Sequence, residues 1–253
     1  PRAVRNARDV LSAGGTAADA AVALYATMTV TKPSVAGIGG GGVCVVHDRA
    51  TKKVEVLDFW PRPGTRTGSD QTPTTIPTVP RGLYALSARY GRLQWGSLIS
   101  AAEQYARLGV PVSRSLVKDI EANRARIEAS PALRATFMPD GKMLEVGDRI
   151  RAVNLAALLT SLRVKGPGEV YSGALGADIA HAVTAAGGTL TADDMRTYRP
   201  QWKTATEVKV GNETLYLAYP PRSNSGASVI TEGGELADIL NRYLADIASG
   251  SEA

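Results

Sequence analysis

Gly14-Gly15-Thr16-Ala17-Ala18-Asp19-Ala20-Ala21-Val22-Ala23 is the stretch on which the reading of this chain turns. A glycine pair stops whatever precedes it, and Thr16 with Asp19 three positions later makes a capping-box-like helix start. The helix predicted from Ala17 to about Val30 is apolar almost all the way round, running Ala-Ala-Val-Ala-Leu-Tyr-Ala-Thr-Met. A helix of that kind is normally buried against a sheet or other helices. Pro33 ends it, and upstream residues 2–12 read as a second helix.

Downstream comes a glycine cluster, Gly37-Ile38-Gly39-Gly40-Gly41-Gly42. A dinucleotide-binding reading needs a strand before such glycines and a helix after them. Here the β-branched run Val43-Cys44-Val45-Val46 follows, which reads as a strand and leaves no helix N-terminus for a phosphate. The glycines instead let the backbone turn tightly and pass close to other structure. Val43–His47 and Lys53–Phe59 alternate as two strands of a hairpin around Asp48-Arg49-Ala50-Thr51. Residues 61–80, with Pro61, Pro63, Pro73, Pro77 and Pro80, read as a loop without regular structure.

Helices are then predicted over Arg81–Tyr90, Gly96–Leu108, Ser113–Glu128, Val153–Arg163, Ala174–Ala186 and Thr191–Tyr198. Ser113 and Thr191 are the expected N-caps, and Asp193 and Asp194 suit the first turn of the last of these helices. Strands return at Thr204–Val210 and Thr214–Ala218 around a Gly211-Asn212 turn, and Ala227–Leu244 closes as a helix after Pro220-Pro221. This order predicts a layered α/β or α+β chain with helices packed on antiparallel sheet.

Composition narrows the function classes. With 253 residues, 44% hydrophobic and 21% charged, the chain is in the globular range. No run approaches the roughly 18 consecutive apolar residues of a membrane span. The net charge is +5, but the basic residues are spread among acidic ones, as in Asp119, Glu121, Arg124, Arg126 and Glu128. A nucleic-acid binder gathers its cations on one face, so a solvated surface is the better reading and no nucleic-acid partner is expected. Cys44 is the lone cysteine, and His47 and His181 are the two histidines. One cysteine makes no internal disulfide, and this set is too poor for a metal cluster. Neither histidine lies in a nucleophile motif of the kind a catalytic triad requires. The usual catalytic side chains are scarce enough to suggest that this chain does not hold its own nucleophile.

Several motifs, in order, resemble one family. The stretch from Gly14 to Ala23 is similar to a segment near the start of γ-glutamyltranspeptidase large subunits, and Gly37-Ile38-Gly39-Gly40-Gly41 resembles the next conserved-pattern segment at the right distance. Val56-Leu57-Asp58-Phe59 looks like the following strand. Val79-Pro80-Arg81-Gly82-Leu83 and Tyr90-Gly91-Arg92-Leu93-Gln94-Trp95 look like the family's Val-Pro-Gly helix and Tyr-Gly-x-Leu-x-Trp turn. Tyr171-Ser172-Gly173, Gly187-Gly188-Thr189-Leu190-Thr191, Asp194 to Tyr198, and Pro220-Pro221 with Ser223-Asn224-Ser225-Gly226 continue the order. The resemblance runs from about residue 3 to 245.

The resemblance implies a four-layered αββα sandwich of the N-terminal-nucleophile hydrolase type, completed by a small-subunit chain, with residues 1–253 one domain shared with that chain. It also implies a precursor that cleaves itself, freeing an N-terminal Thr on the small subunit as nucleophile with its own α-amino group as base. No catalytic residue is then expected in this chain, no cofactor or metal is implied, and a dimer of heterodimers is among the expected assemblies.

One position departs from the family in a way that bears on substrate. Family large subunits carry an Arg directly after the Asp-Phe strand end, where it pairs with the α-carboxylate of a γ-glutamyl group. Here that position is Trp60, followed by Pro61 and Arg62. An indole does not pair with a carboxylate, and a planar bidentate contact is not reproduced by other side chains. Arg62 lies two residues away, its direction constrained by Pro61 and Pro63. Either Trp60 packs in the core and the strand end has slipped, or the carboxylate acceptor is gone and an aromatic wall receives a different acyl group. The second reading is adopted, with Trp60 and Arg62 as the substrate-binding candidates. A further departure is length, since only about 30 residues follow the Pro-Pro stretch.

The expected function is that of a processed hydrolase acting on a non-glutamyl substrate of secondary metabolism, such as C–C bond hydrolysis in 4-alkylproline biosynthesis. Its rivals are ordinary γ-glutamyl transfer or glutathione hydrolysis with Arg62 in the carboxylate role, and an unprocessed, inactive scaffold. A small-molecule substrate is expected and a membrane partner is not. Cys44 permits cytoplasm and secreted space alike, so the compartment is left open, with cytoplasm slightly favoured over secreted space.

Overall fold

The computed structural model describes residues 2–65, 74–210 and 213–218. The elements run α1 (Arg2–Ser12), α2 (Ala17–Thr31), β1 (Gly42–Asp48), β2 (Lys53–Phe59), α3 (Val79–Tyr90), α4 (Trp95–Leu108) and β3 (Val110–Pro111). They continue through α5 (Arg114–Ala122), α6 (Arg124–Ala129), α7 (Pro131–Phe137), β4 (Arg149–Ile150), α8 (Val153–Lys165), α9 (Gly168–Ser172), α10 (Ala174–Ala185) and α11 (Ala192–Thr197). Three strands close the described chain, β5 (Gln201–Thr204), β6 (Thr206–Val210) and β7 (Glu213–Leu217). The chain is α+β, as expected, and divides into a helical unit of Pro1–Gly41 with Pro61–Arg199 and a sheet unit of Gly42–Trp60 with the chain from Pro200.

In the helical unit α2 is the central element, packed on α1, α3 and α4. Val22, Ala23, Ala26 and Val30 are buried, which is where an apolar, small-residue helix belongs. Leu98, Ile99, Ala102 and Ala106 of α4 are buried as well, and α4 packs on α8, whose Leu159 and Leu162 are also buried. Glu103 ties the α4–α8 pair from within, accepting from Arg107 at 2.7 Å and from Arg163 at 2.5 Å. Burial opposes ionisation of Glu103, but these arginines and Thr160 outweigh it and its pKa is lowered.

The sheet unit holds a three-stranded antiparallel sheet in the order β1-β2-β5 and a separate β6-β7 hairpin. The central strand β2 buries Val56, Leu57, Asp58 and Phe59 in succession. The hairpin register sets Gly42 opposite Phe59 and Asp48 opposite Lys53, and β5 sets Trp202 opposite Leu57.

Three local expectations are corrected. Ser113–Glu128 is not one helix: Asn123 leaves helical geometry at φ −112° and ψ 17°, separating α5 from α6. Thr204–Val210 is not one strand, because Gln201–Thr204 pairs with β2 whereas Thr206–Val210 pairs with β7, with Ala205 buried between them. Helix α3 begins at Val79, two residues early, since Pro80 fits the first turn where no N–H is needed. The 61–80 loop holds no helix or strand among its described residues before Val79, as expected, and its two ends meet: Ile76 N–H donates to Arg62 O at 2.8 Å, Gly64 N–H to Thr74 O at 3.1 Å, and Pro63 bridges Thr75. The Gly211-Asn212 turn, Pro220-Pro221, the Ser223–Gly226 segment and the helix expected over 227–244 lie outside the described residues.

Candidate functional site

The motifs that led the sequence reading have structural duties in the helical unit. Thr16 caps α2 and Asp19 completes the capping box. Asp19 is fully buried and its Oδ2 also accepts from the Arg92 amide at 2.9 Å and the Leu93 amide at 3.3 Å, in the turn between α3 and α4. Burial pushes its pKa up, yet these donors and Thr16 outweigh burial and the net shift is downward. Gly91 is required for closeness here, since a Cβ there would lie 2.5 Å from Asp19 Oδ1.

The glycine segment is held by its carbonyls. Gly40 O accepts from the Thr78 amide at 3.0 Å, the Val79 amide at 3.2 Å and the Thr78 hydroxyl at 3.1 Å, which occupies the N-terminus of α3. Tyr25 donates to Gly37 O at 3.1 Å. As read from the sequence, strand β1 and not a helix follows these glycines.

Asp194 repeats the Asp19 arrangement at α11, boxing Thr191 through Oδ2. Its Oδ1 accepts from the Thr65 amide at 2.9 Å and hydroxyl at 2.7 Å, so it pins the chain shortly after Arg62. Burial works against ionisation, but the Thr191 and Thr65 donors prevail and take the Asp194 pKa down to about 2. Arg81 is a clasp: its Nη1 donates to Met195 O, Arg196 O and Tyr198 O, and its guanidinium lies 4.0 Å from the Tyr171 ring centroid. Burial, then the charge of Arg199, lowers its pKa.

The two sequence-predicted site residues fall in different units. Arg62 is half-buried in the helical unit, its carbonyl committed to Ile76. Trp60 closes the sheet unit at the end of β2 and is 47% exposed, so in this chain it is not a core residue. Its amide donates to Asp58 Oδ1 at 3.0 Å, and Asp58 Oδ2 accepts from Lys203 Nζ at 2.6 Å. Lys203 was not singled out in the sequence; the one local signal was Asp58 placed two residues before Trp60, the spacing of a side-chain-capped turn.

The remaining candidates stand apart. His47 and His181 are exposed on β1 and α10, and Cys44 is half-buried on β1 with burial pushing its thiol pKa up. A cleft of about 370 Å³ lies among α5, α6 and α7, lined by Leu116, Ile120, Ile127, Leu133 and Phe137 with Asp119 and Arg126.

With this geometry in hand, comparison with known proteins is informative. A family model described as gamma-glutamyltranspeptidase matches residues 3–233. Glutathione hydrolase 3 of Arabidopsis thaliana is 33% identical over 232 residues, covering 87% of this chain and 36% of that protein. The chain spans less than half the length of the curated relatives it matches. Among solved structures, the γ-glutamyltranspeptidase of Helicobacter pylori aligns with a TM-score of 0.84 at 24% identity, covering 90% of this chain and 70% of that one. A cephalosporin acylase from Bacillus halodurans aligns with a TM-score of 0.78 at 28% identity, covering 85% of this chain and 44% of that one.

Proposed function

This chain belongs to the γ-glutamyltranspeptidase family, and we propose that it is the large subunit of a self-cleaved hydrolase whose substrate is not a plain γ-glutamyl amide. In this reading residues 1–253 contribute to one domain shared with a small subunit cut from the same precursor. The N-terminal Thr of that small subunit attacks the substrate carbonyl, with its α-amino group taking the hydroxyl proton. Oriented donors on the same subunit hold the tetrahedral oxyanion. The large subunit supplies the wall that selects the acyl group.

Trp60 carries the proposal. The resemblance places an α-carboxylate-binding Arg at this position, and here an exposed indole ends β2 instead. An indole face favours apolar, aromatic or cationic groups and offers no fork of donors to a carboxylate. The likeness to a cephalosporin acylase supports a fold that serves acyl groups other than γ-glutamyl. Within secondary metabolism, a substrate of the kind hydrolysed at a C–C bond in 4-alkylproline biosynthesis fits the reading. Arg62 is half-buried and bounded by Pro61 and Pro63, and in this reading it does not replace the missing Arg.

The test is hydrolysis of a γ-glutamyl anilide and an unsubstituted acyl anilide by the cleaved two-chain protein. The expected result is preference for the unsubstituted compound, with Trp60→Arg shifting the kcat/KM ratio toward the γ-glutamyl compound by about tenfold or more. Strong γ-glutamyl preference in the unmodified protein, abolished by Arg62→Ala, would establish ordinary γ-glutamyl transfer instead. A single uncleaved chain on a denaturing gel would favour the scaffold rival.

A further inference from the structure

We propose that the cleft among α5, α6 and α7 is a binding site for a small carboxylate with a flat apolar body, its anion taken by Arg126. The proposal does not depend on the reading of Trp60. The cleft arises because the chain breaks helix twice within a short stretch. Helix α5 ends at Asn123, where φ is −112° and ψ is 17°, and Ser130-Pro131 starts α7 after the six residues of α6. About 370 Å³ is left between them, within the roughly 300–1,000 Å³ of small-molecule sites. Leu116, Ile120 and Ile127 line it and are buried. Helix α7 adds Leu133 and Phe137, four residues apart on one helix face. No residue of α7 is buried, and these two side chains stay half-buried. An apolar pair that the fold itself covers only in part gains further burial when an apolar body enters the cleft.

The charges around the cleft decide the sign of the ligand. Asp119 is already matched: Lys32 Nζ lies 2.5 Å from its Oδ2, and the Ser34 hydroxyl donates to the same oxygen. Lys32 first, then Ser34, hold its pKa below the ordinary carboxylate value, so it stays ionised and paired. Glu128, the acid of α6, pairs with Arg124 at 3.6 Å. Arg126 lines the cleft, is exposed, and makes no hydrogen bond or ion pair among the described residues. The cleft is therefore left with one unmatched charge, and it is positive. A guanidinium offers a planar fork of donors that meets a carboxylate in two parallel bonds. A ring on the apolar lining and a carboxylate on Arg126 make the two halves of one ligand. A cationic ligand would meet Arg126 as a like charge and find Asp119 taken.

The experiment uses the full protein as purified, with its isoleucine methyl groups labelled for NMR. The Ile120 and Ile127 signals are those lost in Ile120→Val and Ile127→Val. The probes are 2-naphthylacetate and its neutral counterpart 2-naphthylacetamide. Titration with the acetate is expected to move both signals to saturation, and the acetamide to bind about tenfold more weakly. Arg126→Gln, a change at an exposed residue, is expected to erase that preference by weakening the acetate alone. Leu133→Trp places an indole in the cleft and is expected to abolish the shifts. Should that variant fail to fold, Arg126→Gln and the pair of probes carry the test by themselves. Ile120 and Ile127 signals that stay in place in the unmodified protein, as they would if a neighbouring chain filled the cleft, overturn the proposal. An acetamide that binds as well as the acetate overturns it too, as does acetate affinity unchanged in Arg126→Gln.

Discussion

Two regions of the helical unit use one local device to different ends. At α2 and at α11 a Thr caps the helix and an Asp three residues on completes the box. Asp19 puts all its bonds on one oxygen: Oδ2 takes both Thr16 donors and the Arg92 and Leu93 amides, while Oδ1 is buried against Gly91 with no hydrogen-bond partner among the described residues. Asp194 divides its bonds, Oδ2 to Thr191 and Oδ1 to Thr65. Both carboxylates are held below the ordinary carboxylate value by these donors, Asp194 at about 2. A capping box is thus half of each structure, and the remote donors decide what it does for the fold.

The comparison breaks most sharply at Asp19. Asp19→Ala takes from the amides of Thr16, Arg92 and Leu93 their shared, fully buried acceptor, and it unties α2 from the turn joining α3 to α4. The expected loss is about 3–5 kcal/mol in urea unfolding, large enough to prevent accumulation of folded protein. A loss under about 1 kcal/mol would mean the cap alone, not the cross-link, matters.

Asp194 is tested through pH. Its folded pKa, about 2, lies below the ordinary carboxylate value, so its stabilisation is full above about pH 4 and is lost as pH falls toward 2. Asp194→Asn is therefore expected to cost roughly 2 kcal/mol at pH 7 and almost nothing at pH 2. Urea unfolding of both proteins across that range measures the difference, and a gap that does not narrow toward acid would refute the assignment.

The smallest effect separates the two knots. Thr65→Val removes one hydroxyl donor to Asp194 while keeping the Thr65 amide bond. About 1 kcal/mol is expected. Hydrogen exchange should rise at the Thr65 amide and stay unchanged at Arg92 and Leu93; exchange that rises at both would show the knots to be coupled.

Much of this architecture was legible before any coordinates. Helix α2 and its Thr16 cap, the β1–β2 hairpin, the Ser113 and Thr191 caps and the ordered family motifs all follow from residues within one or two turns of each other. The break at Asn123 was not legible, because Ser113–Glu128 keeps helical periodicity across it. The short helix α7 has only a local start signal in Ser130-Pro131, where the Ser130 hydroxyl accepts from the Leu133 amide at 3.4 Å. At the candidate site, Trp60 in the position where the resemblance implies an Arg is legible in the residues that end β2. Lys203 was not, since it reaches Asp58 across 145 residues of chain.

The division has one physical cause. Capping, turn formation and strand alternation are decided by neighbours along the chain, so residues 14–31 and 42–59 state their own structure, and the same order of motifs states the family. Which of two partners a strand takes, as when the chain changes partner at Ala205, depends on the strands already in place around it. Which segments a carboxylate ties together likewise depends on donors from distant parts of the chain: Arg92 for Asp19, Thr65 for Asp194, Lys203 for Asp58. Local chemistry placed those three aspartates; only the tertiary structure delivered the groups that give each its task.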